Sequence, residues 1–381
     1  MLDLAENRAN LLYDRVLIAH RRKTEIRKFR DPRRVAITDS VVLAPGQMRE
    51  IDDFFVTNYG EKIPYTWHRH YTAFTGHFDV QYFPELLYIP EFEHFMNLWP
   101  YYNKAFSDKN VLPLLAGRAG VKMPEAFYYS ARGAVRDGKD RPVSNLAEAL
   151  KDIGEVFIKT TVDSSSGRGC FLARFQGGVD VLSGDGVQDV VKRIGTDFAI
   201  QERLRCHPSI SALHPQSVNT FRVMTYRWGD EIIVAPSTMR LGSGGSYLDN
   251  VHSGGMCIAV DDDGRLHDTA YTEFNVRFQE HPDSHVIFKD YRIPDFPRVP
   301  EAARRLHELL PQLGVVHWDF TIDQAGDPVL LEANTWGTSI QLLQRPRGCG
   351  AFGDRTAEIL RWMRKMKRLN PADRYRHAFG R

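Results

Sequence analysis

The segment VVHWDFTIDQAGDPVLLEANTWG, residues 315–337, has the pattern of two β-strands joined by a short turn. Alanine and glycine stand between two runs in which polar and apolar residues alternate, which is typical of a hairpin. If Ala325–Gly326 forms a two-residue turn, antiparallel pairing places Asp319 opposite Glu332. The polar face then carries His317, Asp319, Thr321, Glu332 and Asn334, and the apolar face carries Val316, Trp318, Phe320, Val329, Leu331 and Ala333.

The polar face of this hairpin is a candidate metal site. Cross-strand neighbours lie about 5 Å apart, so two unpaired carboxylates would repel each other unless a cation lay between them. Asp319, Glu332 and Asn334 offer oxygen ligands, which suit Mg²⁺ or Mn²⁺. A half-exposed hairpin with a solvated acidic face stays open as the alternative.

A second informative segment is FIKTTVDSSSGRGCFLAR, residues 157–174. Lys159 ends an apolar run, and two β-rich runs flank the serines and glycines of residues 164–169, so a hairpin loop is predicted. Its glycines allow close approach, and consecutive backbone N–H groups can form an anion nest for a phosphate. Serine- and glycine-rich hairpin loops are also common without any ligand, and the loop lacks the Walker pattern.

From about residue 110, short strand and helix patterns alternate, which predicts a mixed α/β fold. Helices are expected at LAEALKDIG, GVQDVVKRIG and AARRLHELLPQLG, and strands at EVFIKTTV, CFLARF and FAIQERL. Antiparallel hairpins are expected at FRVMTYRWGDEIIVAPSTMRLG and MCIAVDDDGRL. The region before residue 110 differs, because residues 11–34 are basic and favour one or two surface helices.

Aromatic residues and histidines crowd residues 60–100. By count, His68, His70 and His77 suggest a metal, but no cysteine or carboxylate stands at matching spacing, so satisfied surface histidines are favoured. His68, Arg69 and His70 are also candidates for binding an anionic substrate, and packing against the central domain is the equal alternative.

Composition excludes several classes of protein. The chain has 381 residues with 43% hydrophobic content, enough to bury a sizeable core, and a formal charge of +2, which favours neither nucleic acid nor membrane as a partner. Four cysteines are widely separated, which argues against a disulfide framework and a structural zinc site and favours a reducing cytoplasm. No apolar run is long enough for a transmembrane helix, and the amino terminus lacks a signal-peptide pattern.

In their order along the chain, these motifs resemble the ATP-grasp enzymes, and in particular the sugar-transfer-associated ATP-grasp branch, over roughly residues 75–345. Asp108-Lys109-Asn110 resembles the motif that begins the nucleotide site, and Lys159 resembles the strand lysine before the phosphate loop. The segments HPSISALHPQSVNTFRVMT and LDNVHSGG are the ones that indicate the branch.

The resemblance implies roles for these residues. ATP is expected to be bound by Lys109, Lys159, Ser164, Ser165, Ser166, Gly167, Gly169 and an adenine hinge of Gln201, Glu202, Arg203 and Leu204. Arg222 and Arg240 resemble the family's phosphate-stabilising arginines, and Asp319, Glu332 and Asn334 its metal ligands. The residue 164–169 loop is also expected to close over the reaction as a lid. At the hinge, Arg203 departs from the residue that other members often carry, so adenine contacts there are expected to use the backbone.

The fold implied is α/β (α+β), an ATP-grasp fold with two α/β subdomains clasping ATP, plus a helical and aromatic N-terminal region. The expected segments are 1–105 (N-terminal region with basic helices and substrate-side elements), 106–205 (small subdomain with phosphate loop and hinge), 206–345 (subdomain with the metal site) and 346–381 (C-terminal helix and tail). The activity implied is an ADP-forming ligase, in which ATP and Mg²⁺ activate a carboxylate as an acyl phosphate for attack by an amine or another nucleophile. An ATP-grasp kinase acting on a hydroxyl is the alternative, and a non-catalytic binding module is a third. Small-molecule substrates are the expected partners, and the sequence leaves the oligomeric state open.

Overall fold

The computed structural model describes residues 2–98, 103, 105–106, 108–161 and 169–380. The N-terminal region is helical, and its elements are α1 (Leu2–Lys28), α2 (Pro32–Asp39), α3 (Pro45–Asn58), α4 (Thr66–Thr75), α5 (Glu85–Leu87), a π-helical segment (Tyr88–Glu93) and α6 (His94–Met96). The basic segment of residues 11–34 therefore lies in two helices and the turn between them. No helix among the described residues has both the length and the apolar character needed to cross a membrane.

The first sheet has six antiparallel strands within the described residues, in the order β2-β1-β6-β3-β4-β5. Its strands are β1 (Ala126–Ala131), β2 (Ala134–Asp137), β3 (Gly154–Thr160), β4 (Phe171–Gln176), β5 (Val179–Asp180) and β6 (Phe198–Glu202). Helix α7 (Leu112–Arg118) precedes β1 and packs against the second sheet, whereas α8 (Leu146–Leu150) and α9 (Val187–Ile194) pack against this one. Alternate residues such as Val156 and Ile158 face α8 and α9 and form one apolar core. The predicted hairpin around residues 161–170 is confirmed, because β3 and β4 pair antiparallel.

The second sheet has eight strands in the described part of the chain, in the order β12-β11-β10-β9-β7-β13-β14, with β8 paired to β7. Its strands are β7 (Thr220–Trp228), β8 (Glu231–Val234), β9 (Ser237–Leu241), β10 (Met256–Val260), β11 (Ala270–Thr272), β12 (Arg277–Phe278), β13 (Val315–Ile322) and β14 (Pro328–Asn334). The remaining elements are α10 (Pro208–Ser211), a 3₁₀ turn (Val251–Ser253), α11 (Arg298–Glu308), α12 (Gln341–Gln344), a 3₁₀ turn (Gly353–Arg355), α13 (Thr356–Arg368), α14 (Pro371–Arg374) and a 3₁₀ segment (Tyr375–Gly380).

The two faces of the second sheet pack against different elements. On one face, Phe221, Val223 and Trp318 belong to a core that includes residues of α7 and α11. On the other face, Met224 and Tyr226 are buried in a core shared with the N-terminal helices and α13. This second face continues past the N-terminal helices, and its uncovered end is the floor of the cavity described below.

The β13–β14 hairpin has the predicted pairing of Asp319 with Glu332, but its turn differs from the predicted one and a bulge restores the register. Residues 324–326 form a three-residue loop, in which Gly326 has φ +85° and its N–H donates to the Asp323 carbonyl at 3.0 Å. The predicted two-residue turn is therefore wrong. Near the loop Phe320 pairs with Leu330, and a register shift beyond that pair restores Asp319 opposite Glu332.

Leu331 is the extra residue of this bulge, and the bulge overturns two face assignments. Leu330, not Leu331, belongs to the core beside Phe320, and Leu331 lines the cavity instead. Val329 pairs with Thr321, so it also lies on the face opposite to the predicted one. The cause is that two residues of β14 oppose one residue of β13, which interrupts the period-two alternation.

The histidine-rich segment packs into the N-terminal core. His68 and His70 on α4 are fully buried, and the His70 ring contacts Phe29 and Phe74. Arg69 donates to the Val41 carbonyl at 2.8 Å and to Asp39 at 3.0 Å. None of the three lines the cavity, and the contacts described above are to residues of the N-terminal region. The expectation of satisfied surface histidines is wrong, because His68 and His70 are buried.

Candidate active site

A cavity of about 810 Å³ lies between the two sheets and the N-terminal helices. The volume falls in the range of small-molecule sites. The first sheet contributes Phe157, Lys159, Leu172 and the end of β6, the second contributes residues of β7, β9, β13 and β14, and the helical region contributes residues of α1, α2 and α5.

The floor of the cavity is a row of charged residues across three strands. Arg222 on β7 lies opposite Asp319 on β13, which lies opposite Glu332 on β14. On the neighbouring pair, Arg240 on β9 lies opposite Thr220 on β7. Because directly opposed residues in an antiparallel sheet share a face, the strand pairing alone brings these side chains together.

Asp319 is held by two arginines. Arg222 donates from Nε and Nη2 to the Asp319 carboxylate at 2.6 and 3.1 Å, and Arg240 Nη2 donates to it at 3.1 Å. Burial would raise the pKa of Asp319, but the two guanidinium groups hold it below its ordinary value. Asp319 and Glu332 do lie opposite each other, as predicted, but neither carboxylate is unpaired, because basic side chains offset both charges.

Glu332 is offset by lysines from a different part of the chain. Lys109 Nζ lies 3.4 Å from Glu332 Oε1. Lys159, at the end of β3, is buried near both, and burial together with the charge of Lys109 lowers its pKa to about 8. Two sequence-predicted lysines, 50 residues apart, thus meet at one carboxylate.

Asp249 is a buried member of the site that the sequence did not single out. It accepts a hydrogen bond from the Thr220 hydroxyl and lies 3.6 Å from Arg240 Nε. Burial raises its pKa. The sequence signal for Asp249 is the segment LDNVHSGG, which carries part of the family resemblance.

The predicted hinge residues, Gln201, Glu202, Arg203 and Leu204, all line the cavity. The Arg203 side chain is engaged, because it donates from Nη1 to Glu155 at 2.7 Å. The Glu202 carboxylate accepts from the Glu125 N–H at 3.0 Å. With both charged side chains engaged by other residues, this hinge offers a ligand its backbone atoms, the Gln201 side chain and the apolar Leu204.

The predicted phosphate loop falls mainly on residues whose structure is not described. Ser164, Ser165, Ser166 and Gly167 lie outside the described residues. Gly169 is described: its φ is +71°, and a Cβ there would approach Thr160 Cγ2 to 2.8 Å, so glycine is required. It does not line the cavity. Just after it, the Cys170 carbonyl accepts from the Tyr247 hydroxyl at 3.1 Å, a contact that ties β4 to the β9–β10 loop.

Substrate-side elements were expected in the N-terminal region, but the residues that form the helical wall of the cavity were not predicted. This wall consists of Lys28 on α1, Arg34 on α2, Glu85 on α5 and the segment 336–342 that follows β14. Glu93 holds this segment in place, because its carboxylate accepts the N–H groups of Gly337 and Thr338 at 2.8 and 3.3 Å. The Arg21 guanidinium lies 4.3 Å from the ring centre of Trp336.

The oxygen donors of the hairpin are compatible with a hard cation. Asp319, Glu332 and Asn334 share the cavity face, and the Asn334 amide nitrogen lies 3.5 Å from Asp319 Oδ2, which leaves its carbonyl oxygen as a further donor. Within the described residues there is no cluster of three or more histidine, cysteine, aspartate or glutamate side chains that could hold a metal.

A family model described as sugar-transfer associated ATP-grasp matches residues 91–358, which is most of the chain. The chain belongs to this ATP-grasp family. The resemblance drawn from the sequence motifs is confirmed, and so is the fold class, a mixed fold of helices and antiparallel sheets with a helical N-terminal region. The match starts inside the π-helical segment, so helices α1 to α5 of this ATP-grasp protein precede it.

Solved structures that resemble this ATP-grasp chain include three enzymes. VanG D-Ala:D-Ser ligase from Enterococcus faecalis is 15% identical, with 69% of this chain and 62% of that chain covered and a TM-score of 0.40. D-alanyl-alanine synthetase A from Vibrio cholerae is 11% identical, with 71% and 66% covered and a TM-score of 0.41. Carboxyaminoimidazole ribonucleotide synthase from Aspergillus clavatus, complexed with ATP, is 12% identical, with 62% and 46% covered and a TM-score of 0.35. The chain thus spans about half the length of that synthase, and a search of curated proteins found no match.

Proposed function

We propose that the protein is an ATP-dependent, ADP-forming ligase that activates a carboxylate as an acyl phosphate. The observation that carries the proposal is the meeting of four basic side chains with three oxygen donors in one cavity: Lys109, Lys159, Arg222 and Arg240 with Asp319, Glu332 and Asn334. Such a set suits a polyphosphate accompanied by a divalent cation.

ATP is proposed to bind with its base at the end of β6 and its phosphates above the charged row. Leu204 and the apolar Phe157, Leu172 and Leu331 line the same cavity and suit a planar base. Lys109 and Lys159 would exchange part of their interaction with Glu332 for phosphate oxygens, as compact cations commonly do. Arg222 and Arg240 would stabilise the charge on the phosphoryl group in transit, which requires donors fixed before the reaction.

Mg²⁺ is the metal that the donor set suits best, with Mn²⁺ as a second possibility. Asp319, Glu332 and Asn334 would hold it. When bound, it would neutralise phosphate charge and make the terminal phosphoryl group more electrophilic. The pairing of Asp319 with two arginines fixes its carboxylate in place before any ligand arrives.

The reaction has two steps in this proposal. A carboxylate oxygen of the acceptor attacks the γ-phosphorus, the bond to the β-phosphate oxygen breaks, and ADP leaves. A nucleophile such as an amine then attacks the acyl carbon, inorganic phosphate leaves, and the nucleophile loses a proton. In the proposal the basic side chains and oxygen donors of the cavity bind and orient both substrates, and the cavity walls limit the access of water.

The proposal is tested by a screen for ADP release with pooled carboxylates and amines, with products identified by mass spectrometry. The carboxylate substrate found in the screen is then labelled with ¹⁸O at its carboxylate oxygens. One ¹⁸O atom should appear in the released phosphate, because the acyl oxygen leaves with phosphorus. ADP formation with no ¹⁸O in phosphate, and with a phosphorylated hydroxyl compound as product, would replace the ligase by a kinase.

A further inference from the structure

A second cavity, of about 460 Å³, lies among the helices and shares no lining residue with the cavity between the two sheets. It is enclosed by α1, the end of α3, the π-helical segment, α13 and α14, and its volume falls in the range of small-molecule sites. Its lining has twice as many basic as acidic residues. The basic ones are Arg15, Arg22, Arg364, Lys367, Arg368 and Arg374.

Two of the three acidic residues in this second cavity form close ion pairs. Asp14 on α1 accepts from Arg374 Nη1 at 2.7 Å, and both side chains are buried. Glu61, just after α3, accepts from Lys367 Nζ at 2.5 Å. Each of these carboxylates therefore already has a cation of its own.

The third acidic residue, Glu91, is fully buried and accepts from the Tyr59 hydroxyl at 2.7 Å. Arg22 Nη1 lies 3.5 Å from its carboxylate. The three acidic residues thus account for three of the six cations, and the other three cations are in excess.

The excess consists of Arg15, Arg364 and Arg368. Among the described residues, none of the three has an acidic side chain at ion-pair distance, and Arg364 lies 3.5 Å from the neutral carbonyl of Thr57. Arg15 and Arg368 are exposed, so a ligand that enters the cavity can reach their guanidinium groups.

Helix periodicity concentrates these charges. Arg364, Lys367 and Arg368 are three and four positions apart on α13, which places them on one face of that helix. Arg15 and Arg22 are seven positions apart on α1 and share a face as well. Like charges at such spacings destabilise a helix, so an anion that binds between the two faces offsets an existing repulsion.

The residue types favour phosphate among anions. Five of the six basic residues are arginines, whose guanidinium groups bind phosphate oxygens in bidentate fashion. A phosphate group carries about 1.5–2 negative charges at pH 7, so two phosphoryl groups can balance three cations, whereas one carboxylate cannot.

We propose that the second cavity is a binding site for an anion with two phosphoryl groups. The site is separate from the proposed ATP site and does not depend on the ligase proposal. The same chemistry occurs in a free diphosphate compound and in the headgroup of a lipid with two phosphates. The second source is included because Leu12, Tyr13 and Val16 are exposed on α1 beside Arg15.

The test follows the ring signals of isotope-labelled tyrosines in the full-length protein by NMR. Tyr59 lines only the second cavity and Tyr247 only the cavity between the sheets, and the signals are assigned with Tyr59→Phe and Tyr247→Phe. Pyrophosphate should shift the Tyr59 signal and bind there at least about ten-fold more tightly than acetate, as one further charge-assisted hydrogen bond would give. An unchanged Tyr59 signal, shifts confined to Tyr247, or equal affinity for acetate would overturn the assignment.

Two exposed arginines locate the binding. Arg15→Gln and Arg368→Gln should each weaken pyrophosphate binding at Tyr59 by about three-fold, and the double variant by about ten-fold. The control is Lys23→Gln, because Lys23 is exposed on α1, carries the same charge and lines neither cavity. An unchanged affinity in the double variant, or an equal loss in Lys23→Gln and Arg15→Gln, would reject the site.

Vesicle flotation distinguishes the two sources of phosphate. The protein is mixed with phosphatidylcholine vesicles that either contain or lack cardiolipin, a lipid with two phosphates. Flotation that requires cardiolipin, and that is lost when Leu12, Tyr13 and Val16 are replaced by serine while pyrophosphate still shifts Tyr59, would identify a lipid headgroup as the ligand. Pyrophosphate binding without flotation would identify a free phosphate compound.

Discussion

The two walls of the cavity differ in how their polar groups are satisfied. On the sheet wall, Asp319 and Glu332 are paired with basic side chains, and Asp249 is bound by Thr220. On the helical wall, Glu85 and Gln341 each keep an unpartnered oxygen among the described residues. The sheet wall is therefore a balanced set of charges that a ligand must rearrange, whereas the helical wall keeps buried polar atoms that no described protein group satisfies.

The largest effect is expected when a charge is removed from the sheet wall. Asp319→Asn should lower the free energy of unfolding by about 3–5 kcal/mol, because the buried Arg222 loses its carboxylate partner and Arg240 keeps only Asp249. Glu332→Gln should cost less than about 1 kcal/mol, since the Glu332 side chain is 34% exposed. Both should reduce ADP formation by about a hundred-fold or more. Chemical denaturation and ADP release measure the two effects, and equal losses of stability would show that Asp319 is not specially held.

A second variant tests whether the lysines of the sheet wall contact phosphate. Lys159→Ala should weaken ATP binding by about 1.5–3 kcal/mol, the contribution of one charge-assisted hydrogen bond. Calorimetry with ATP measures it. The control is Lys151→Ala, because the Lys151 side chain is 50% exposed in the same subdomain. An unchanged affinity in Lys159→Ala would remove Lys159 from the site.

The pH dependence of ATP binding tests whether Lys159 binds ATP in its charged form. Burial and Lys109 lower the pKa of Lys159 to about 8, so without ligand Lys159 loses its proton as the pH rises through 8. ATP affinity should fall between pH 7 and pH 9, by up to about ten-fold, and Lys159→Arg should flatten this dependence because arginine stays charged. A wild-type affinity that does not change over this range contradicts the assignment.

The lowered pKa of Lys159 has the opposite effect on protein stability: stability rises with pH where ATP affinity falls. Between pH 8 and the ordinary lysine value of 10.5, the unfolded chain binds the proton of Lys159 more strongly than the folded chain does. The contribution of Lys159 to the free energy of unfolding should therefore rise with pH in this interval. The difference between wild type and Lys159→Met, measured by denaturation at pH 7.5 and 9.5, isolates it.

The smallest expected effect concerns the helical wall. Arg21→Gln removes the cation that lies over the Trp336 ring, which is 38% exposed as a residue, and should cost about 0.5–1 kcal/mol of stability. ATP affinity should stay within about two-fold, because Trp336 is on the helical wall. A large loss of ATP affinity would mean that the two walls are coupled more tightly than their contacts indicate.

The sequence predicted the sheet wall well because strand pairing is encoded locally. Alternation and a turn signal bring Asp319 opposite Glu332, and the opposition holds in the structure although the turn was assigned incorrectly. The compensating arginine could not be inferred from that pattern. Arg222 lies about a hundred residues before Asp319, and its pairing depends on which strand lies next to β13.

The residues of the helical wall could not be predicted, although substrate-side elements were expected in the N-terminal region. Lys28, Arg34, Glu85 and Gln341 come from four separate segments, and each looks unremarkable among its sequence neighbours. Counting unusual residues directed attention to His68 and His70, which are buried among aromatic rings. Local composition shows which segments have an unusual residue content, whereas tertiary packing determines which residues line the cavity.

Because of the bulge at Leu331, β14 contains one residue more than its pairing with β13 requires. Phe320 pairs with Leu330 and Asp319 with Glu332, so Leu331 has no partner of its own. A deletion of this one codon would leave both pairs adjacent and restore an uninterrupted two-residue alternation along β14. Deleting a paired residue elsewhere in the strand would instead shift every later side chain to the opposite face. Leu331 is thus a position at which the length of the gene can change while the charged row keeps its order, at the expense of an apolar group in the cavity.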